Sequence, residues 1–144
     1  MEARQVSVTR VIDASPERVF EVLVDPAAHP LIDGSGTIKE TRAQGGTRLV
    51  LGSKFGMAMK LGVPYGIVNE VVEFEEGRLI AWRHFGGHRW RWQLEPVDGG
   101  TAVTETFDWS TSRSPIALEV MRVPARNKRA IEATLGRLAA HLAG

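Results

Sequence analysis

Residues 131–142 constrain the fold of this chain more than any other stretch. Ile131, Leu135, Leu138 and Leu142 recur at spacings of four, three and four residues, a single apolar stripe down one side of an α-helix. Arg126, Lys128, Arg129, Glu132 and Arg137 fall mostly off that stripe, so one face of the helix is built for water and the other needs a partner. Ser114-Pro115 is a separate N-cap and first-turn signal, and Pro124 forbids one unbroken helix from there to the C-terminus. The pattern predicts a short helix or turn over 116–122 and a long helix starting near Pro124. The long piece grips whatever precedes it. The short piece, with Ile116, Leu118, Val120 and Met121, is the expected lid, with higher mobility over 112–123 than over 126–140.

Almost everything before residue 114 reads as strand. Residues 5–12 alternate and are rich in β-branched side chains, with Val6, Val8, Arg10 and Ile12 on one parity. Ser15, Pro16 and Glu17 then supply an N-cap, a first-turn proline and an acid at the positive end of a helix dipole, predicting a helix from Pro16 to about Val24. One further helical turn fits before Pro30. A strand is expected over 37–43, followed by a turn at Gln44-Gly45-Gly46 and a long alternation in which Leu49, Leu51, Ser53, Phe55, Met57, Met59 and Leu61 share a face. Strands follow over 65–75, 79–85 (inward parity undetermined), 88–95 and 101–110, punctuated by glycine-rich turns. On 88–95, Trp90, Trp92 and Leu94 face inward if Arg89, Arg91, Gln93 and Glu95 face water. Hairpin strands with helices segregated at the ends describe an α+β protein with one antiparallel sheet.

With 144 residues, 43% hydrophobic and 24% charged, a single domain is expected, burying roughly 68% of its unfolded surface. The net charge of +1, without long runs of one sign, speaks against a nucleic-acid surface. The absence of cysteine removes disulfides, thiolate nucleophiles and cysteine metal sites. No apolar run has the length of a membrane span and the N-terminus has no apolar signal core, so a cytoplasmic monomer or homodimer is expected.

The order of elements and three local strings resemble the helix-grip superfamily, also called START-like or SRPBCC, in particular its polyketide cyclase/dehydrase and lipid-transport branch. The strings are Ala14-Ser15-Pro16-Glu17-Arg18-Val19-Phe20, Gly77-Arg78-Leu79-Ile80-Ala81-Trp82-Arg83, and Gly99-Gly100-Thr101 opening Val103-Thr104-Glu105-Thr106. The resemblance runs over essentially the whole chain. It implies a seven-stranded curved antiparallel sheet wrapped around the long C-terminal helix, two short helices between strands 1 and 2, and a cavity for apolar or aromatic small molecules.

The expected cavity wall is Phe55, Met57, Met59, Trp90, Trp92, Phe107 and Trp109, joined by Glu105 and by Met121 from the lid. Flat aromatic faces and adaptable methionines suit an aromatic, polyketide-like or lipid-like ligand, although the same side chains also suit a closely packed core. Arg10 and Glu105 are charges on the apolar parity of the first and last strands. Antiparallel pairing of those strands can set them opposite each other, either as a buried ion pair or as groups that orient a ligand hydroxyl or carbonyl; they are the catalytic candidates. His29, Asp33 and Ser35 lie close in sequence but lack a nucleophile elbow, so turn chemistry explains them better than a triad. His84 and His88 flank a glycine pair without a third metal ligand and read as solvated turn residues. The arginines and tryptophans of 88–95 point to opposite sides, unlike a nucleic-acid platform. No phosphate loop or dinucleotide fingerprint occurs, so no cofactor is expected. A binder of a hydrophobic small molecule is the leading reading, followed by a cyclase/aromatase-type enzyme that works by positioning its substrate, and by a protein-interaction module.

Overall fold

The computed structural model describes the backbone of residues 4–33, 38–43, 48–61, 63–84 and 87–143, and the side chains of these apart from 38–43 and 56–68. Strand β1 (Gln5–Ile12) leads into helix α1 (Pro16–Leu23), a 3-10 turn (Pro26–Ala28) and the short helix α2 (His29–Ile32). Strands β2 (Ile38–Ala43), β3 (Lys54–Leu61), β4 (Val63–Glu75), β5 (Leu79–His84), β6 (Arg89–Val97) and β7 (Gly100–Asp108) follow, then helices α3 (Pro115–Val120) and α4 (Val123–Ala143). The strands form one antiparallel sheet in the order β1-β7-β6-β5-β4-β3-β2, so the first and last strands are neighbours. The α+β class with a single antiparallel sheet and a C-terminal helix is as the sequence indicates.

Local chemistry sets the helix boundaries. Ser15 Oγ accepts the Arg18 N–H at 3.2 Å, with Pro16 and Glu17 in the first turn of α1. Asp25 Oδ1 accepts from the Ala27 N–H at 3.1 Å and opens the 3-10 turn. Pro30 does not end the helical segment as expected. It occupies the first turn of α2, where a missing N–H breaks no helical bond, and the helix continues to Ile32.

The long alternation starting at Leu49 is broken. Leu49 is buried and its N–H donates to Val24 O at 2.8 Å, whereas Leu51 is 62% exposed. Gly52 turns the chain with φ at 86°, and Ser53 Oγ accepts from the Val50 N–H at 2.8 Å, so β3 begins only at Lys54. A tight turn, not a strand pleat, decides which of these side chains faces inward.

Register settles the parity that period alone left open on β5. Ile80 lies opposite Trp92 and Trp82 opposite Trp90, so Ile80 and Trp82 share the inner face with the β6 aromatics. Both are buried. The outer face is a polar ladder. Ser7 and Thr106, and Thr9 and Thr104, pair their hydroxyls at 2.7 Å. Arg91 reaches Glu73 at 2.8 Å and Asp108 at 3.2 Å, and its hydrogen bond holds the Glu73 carboxyl below the ordinary range. The arginines of β6 thus face away from its tryptophans.

Helix α4 buries Ile131, Thr134, Leu135, Leu138 and Leu142. It rests chiefly on β1 and β7, while α1 covers β6 and β7 and sets Phe20 edge-on to Phe74 at 5.6 Å. The break before Pro124 is present: Arg122 at φ 59° joins α3 to α4. Among the described residues, no helix is long and apolar enough to cross a membrane.

Candidate functional site

The inner face of the sheet collects most of the side chains expected to line a cavity. Phe55, Trp92, Phe107 and Trp109 are buried there and Trp90 is half-buried. Trp90 lies 4.9 Å from Phe107, and Phe107 stacks on Trp109 at 5.6 Å. Met57 and Met59 lie outside the described side chains. Two residues left out of the expected wall join it. Trp82 meets Phe55 edge-on at 5.4 Å, and His29, projected from α2, stacks on Trp82 at 5.0 Å. Trp82 could have been found only from the β5 register, and His29 only by seeing that α2 runs through Pro30 and folds back onto the sheet.

Met121 does not join the wall. It is 69% exposed, and Ile116 and Val120 beside it are exposed as well. The reason lies in how α3 is held. Trp109 Nε1–H donates to Glu119 Oε2 at 2.6 Å, and Arg4 Nε approaches the same oxygen at 3.0 Å. With Glu119 drawn to the sheet and Leu118 packed against the core, the other apolar side chains of α3 turn outward.

Arg10 and Glu105 are not opposite one another. Glu105 lies across from Val8, and Arg10 across from Val103. The stagger is fixed at the end of the pairing, where Gly100 at φ 137° passes so close to Ile12 that a Cβ would stand 2.0 Å from its carbonyl oxygen. Only glycine fits there. The Arg10 side chain is exposed and runs along α4, with Nη1 3.8 Å from where a Cβ on Gly136 would be. The expected ion pair is therefore replaced by a buried carboxyl without a cation opposite it. Burial pushes the Glu105 carboxyl well above the ordinary glutamate range, and the nearby Asp33 charge adds to the shift.

His29 Nε2 is 2.9 Å from Leu23 O, which makes Nε2–H the donor. Ser35 lies outside the described residues. Burial holds the His29 imidazole below its ordinary range. His84 and His88 are not solvated turn residues: their rings stack at 4.3 Å, and His88 packs against Phe107 at 5.2 Å. Burial, helped by the neighbouring His84, lowers His88 to about 4. Among the described residues no group of three or more His, Cys, Asp or Glu could hold a metal ion.

Among the described residues, three polar atoms on or against this inner face are buried without a protein hydrogen-bond partner: Glu105 Oε1, Trp92 Nε1 and His29 Nδ1. Leaving such a group unsatisfied costs about 1–3 kcal/mol. A fourth such atom, Arg89 Nε, belongs to the arginines of β6 that face away from the tryptophans, whereas Thr101 Oγ1 in the core donates to Ala14 O at 2.7 Å. A separate cleft of about 340 Å³ at the β3–β5 end is lined by Lys54, Glu70, Arg83, His84, Thr111 and Arg113 among others. Its lining includes neither Trp92 nor Glu105.

Comparison with known proteins agrees with this architecture. Residues 3–143 match the family model described as polyketide cyclase / dehydrase and lipid transport. The uncharacterized protein Rv0088 of Mycobacterium tuberculosis is 37% identical over 147 aligned positions, which take in 89% of this chain and 65% of that protein; the chain thus spans just under two thirds of that relative's length. Two solved structures share the fold. The AHSA1-like protein from Aeromonas hydrophila has a TM-score of 0.70 at 22% identity, covering 96% of this chain and 91% of that one. The Q3J4M4_RHOS4 protein from Rhodobacter sphaeroides has a TM-score of 0.74 at 22% identity, covering 99% and 93%.

Proposed function

Because the chain belongs to the polyketide cyclase/dehydrase and lipid-transport family, we propose that it binds a hydrophobic small molecule, aromatic, polyketide-like or lipid-like, between the inner face of the sheet and α4. The arrangement is read as a full helix grip, seven strands curved around the long helix with two short helices between the first two strands, working in the cytoplasm. The observation that carries the reading is the set of orphaned polar atoms in an aromatic surround. Concave apolar space with a few convergent polar groups is where small ligands bind, and Glu105 Oε1 and Trp92 Nε1 are two such groups among Phe107, Trp90 and Trp109.

Native mass spectrometry of the freshly purified protein tests this directly, with a bound apolar small molecule as the expected result. A bare chain, together with a melting temperature unmoved by a panel of aromatic compounds and fatty acids, would refute it. A second reading, a cyclase/aromatase-type enzyme, draws on the buried Glu105 carboxyl. An acid kept neutral by its surroundings can polarise a carbonyl and pass a proton. An altered product after incubation with a poly-β-ketone substrate separates that reading from simple binding.

A further inference from the structure

We infer that Trp92 and Glu105 form a two-point polar seat on the inner face of the sheet, and that this seat recognises one neutral oxygen, a carbonyl, enol or phenol, on an otherwise apolar ligand. The inference deepens the binding reading above and rests on it. Trp92 and Glu105 are directly opposite each other in the β6–β7 register, so their side chains leave the same face with Cβ atoms about 4.5–5.5 Å apart. Both are almost fully buried, at 2% and 6% exposure. Although they are neighbours, the indole N–H and Glu105 Oε1 both lack a protein partner. Register thus pairs two residues on one face, each with a buried polar atom that the protein leaves uncompleted.

The chemistry of the two atoms limits what completes them. The indole N–H only donates, whereas a carboxyl in its neutral form both donates and accepts. A ligand hydroxyl satisfies the pair by accepting from Trp92 and donating to Glu105, and a ligand carbonyl satisfies it by accepting from both. Charge selects against the alternatives. The carboxyl is framed by Val8 across β1 and by Val103 and Phe107 along β7, and the one charged side chain of β1 on that face, Arg10, extends into solvent. An anionic group in the seat would face the negative field of Asp33, which already acts on Glu105. A cationic group would require Glu105 to ionise in apolar surroundings.

Four probes of one size separate these cases: naphthalene, 2-naphthol, 2-naphthoate and (2-naphthylmethyl)trimethylammonium, titrated calorimetrically into the wild-type chain, Glu105→Leu, Glu105→Gln and Trp92→Phe. The expected result is about tenfold tighter binding of 2-naphthol than of naphthalene by the wild type, the difference that one to two buried hydrogen bonds confer. Glu105→Leu and Trp92→Phe each reduce that preference at least about threefold, and Glu105→Gln, which keeps a neutral donor and acceptor, retains it. Equal binding of naphthol and naphthalene by the wild type overturns the seat but leaves the cavity reading standing. So does a preference unchanged in Trp92→Phe, which tests the seat even if Glu105→Leu fails to fold. Tightest binding of the ammonium probe, lost in Glu105→Gln, overturns the neutral-oxygen assignment in favour of an ion-pair site. Binding of none of the four refutes the cavity reading and the seat with it.

Discussion

At the scale of single residues, Glu105 shows what strand alternation can and cannot convey. Its place on the apolar parity of β7 is legible from Val103, Phe107 and Trp109 two and four positions away, and the structure does bury it. The identity of its neighbour across β1 is not legible, because a period of two fixes the face and leaves the stagger free in steps of two. That stagger depends on the approach of Gly100 to the Ile12 carbonyl, a contact between segments 88 residues apart in sequence. The lone carboxyl has a consequence for stability. Folding holds its proton more tightly than the unfolded chain does, so between the ordinary value of 4.5 and the raised folded value the unfolded state has released a proton that the folded state still carries. Stability is therefore full below that window and declines as pH rises through it. Glu105→Gln removes the titration. Urea unfolding across pH 4–8 is expected to show the variant more stable than wild type at pH 8, with the gap closing toward pH 4; parallel profiles would exclude a proton held by Glu105 in the folded state.

At the scale of elements, the C-terminal third divides as its prolines indicate. The stripe of Ile131, Leu135, Leu138 and Leu142 is buried in α4, while α3 buries none of its own residues and is held through Glu119. The break was legible because Pro124 lacks a donor and Ser114-Pro115 supplies a fresh start. The orientation of α3 was not, since it follows from the Trp109–Glu119 hydrogen bond, which no periodicity reveals. The two pieces respond differently to truncation. Leu138 is fully buried between α4 and the sheet, so Leu138→Ala costs about 2–5 kcal/mol by chemical unfolding. Val120 is 77% exposed, and Val120→Ala changes stability by no more than about 0.5 kcal/mol. If α3 is the lid over the site, Glu119→Ala frees it: amide exchange over 112–123 accelerates while that over 126–140 is unchanged. Equal protection of the two segments in the wild type, unaffected by Glu119→Ala, would show α3 to be a fixed part of the core.

At the scale of the whole molecule, the order of elements, the antiparallel sheet and the aromatic inner face could be read from alternation, turn glycines and one helical stripe. The parity of β5, the inward fold of His29 and the outward turn of Leu51 could not. Each depends on a contact made after the strands and helices have formed: the Ile80–Trp92 register, the stack of His29 on Trp82 and the turn at Gly52. Those same contacts shape the aromatic face that holds Trp92, so the candidate site was less legible than the fold that holds it. A fold that leaves polar atoms orphaned in its interior gains stability from whatever completes them, because a ligand that binds only the folded chain shifts the unfolding equilibrium by mass action. At a free ligand concentration of about 100 times its Kd the gain is roughly 2.7 kcal/mol, on the order of 5–10 °C in Tm for a domain of this size. Protein stripped of any co-purified molecule by organic extraction and refolding is therefore expected to melt lower than the fresh preparation by about that amount. Adding back the extract restores the original Tm in the wild type and restores it only partly in Trp92→Phe. Identical melting of fresh and stripped protein, with no response to the extract, would mean that the interior is complete as the chain folds.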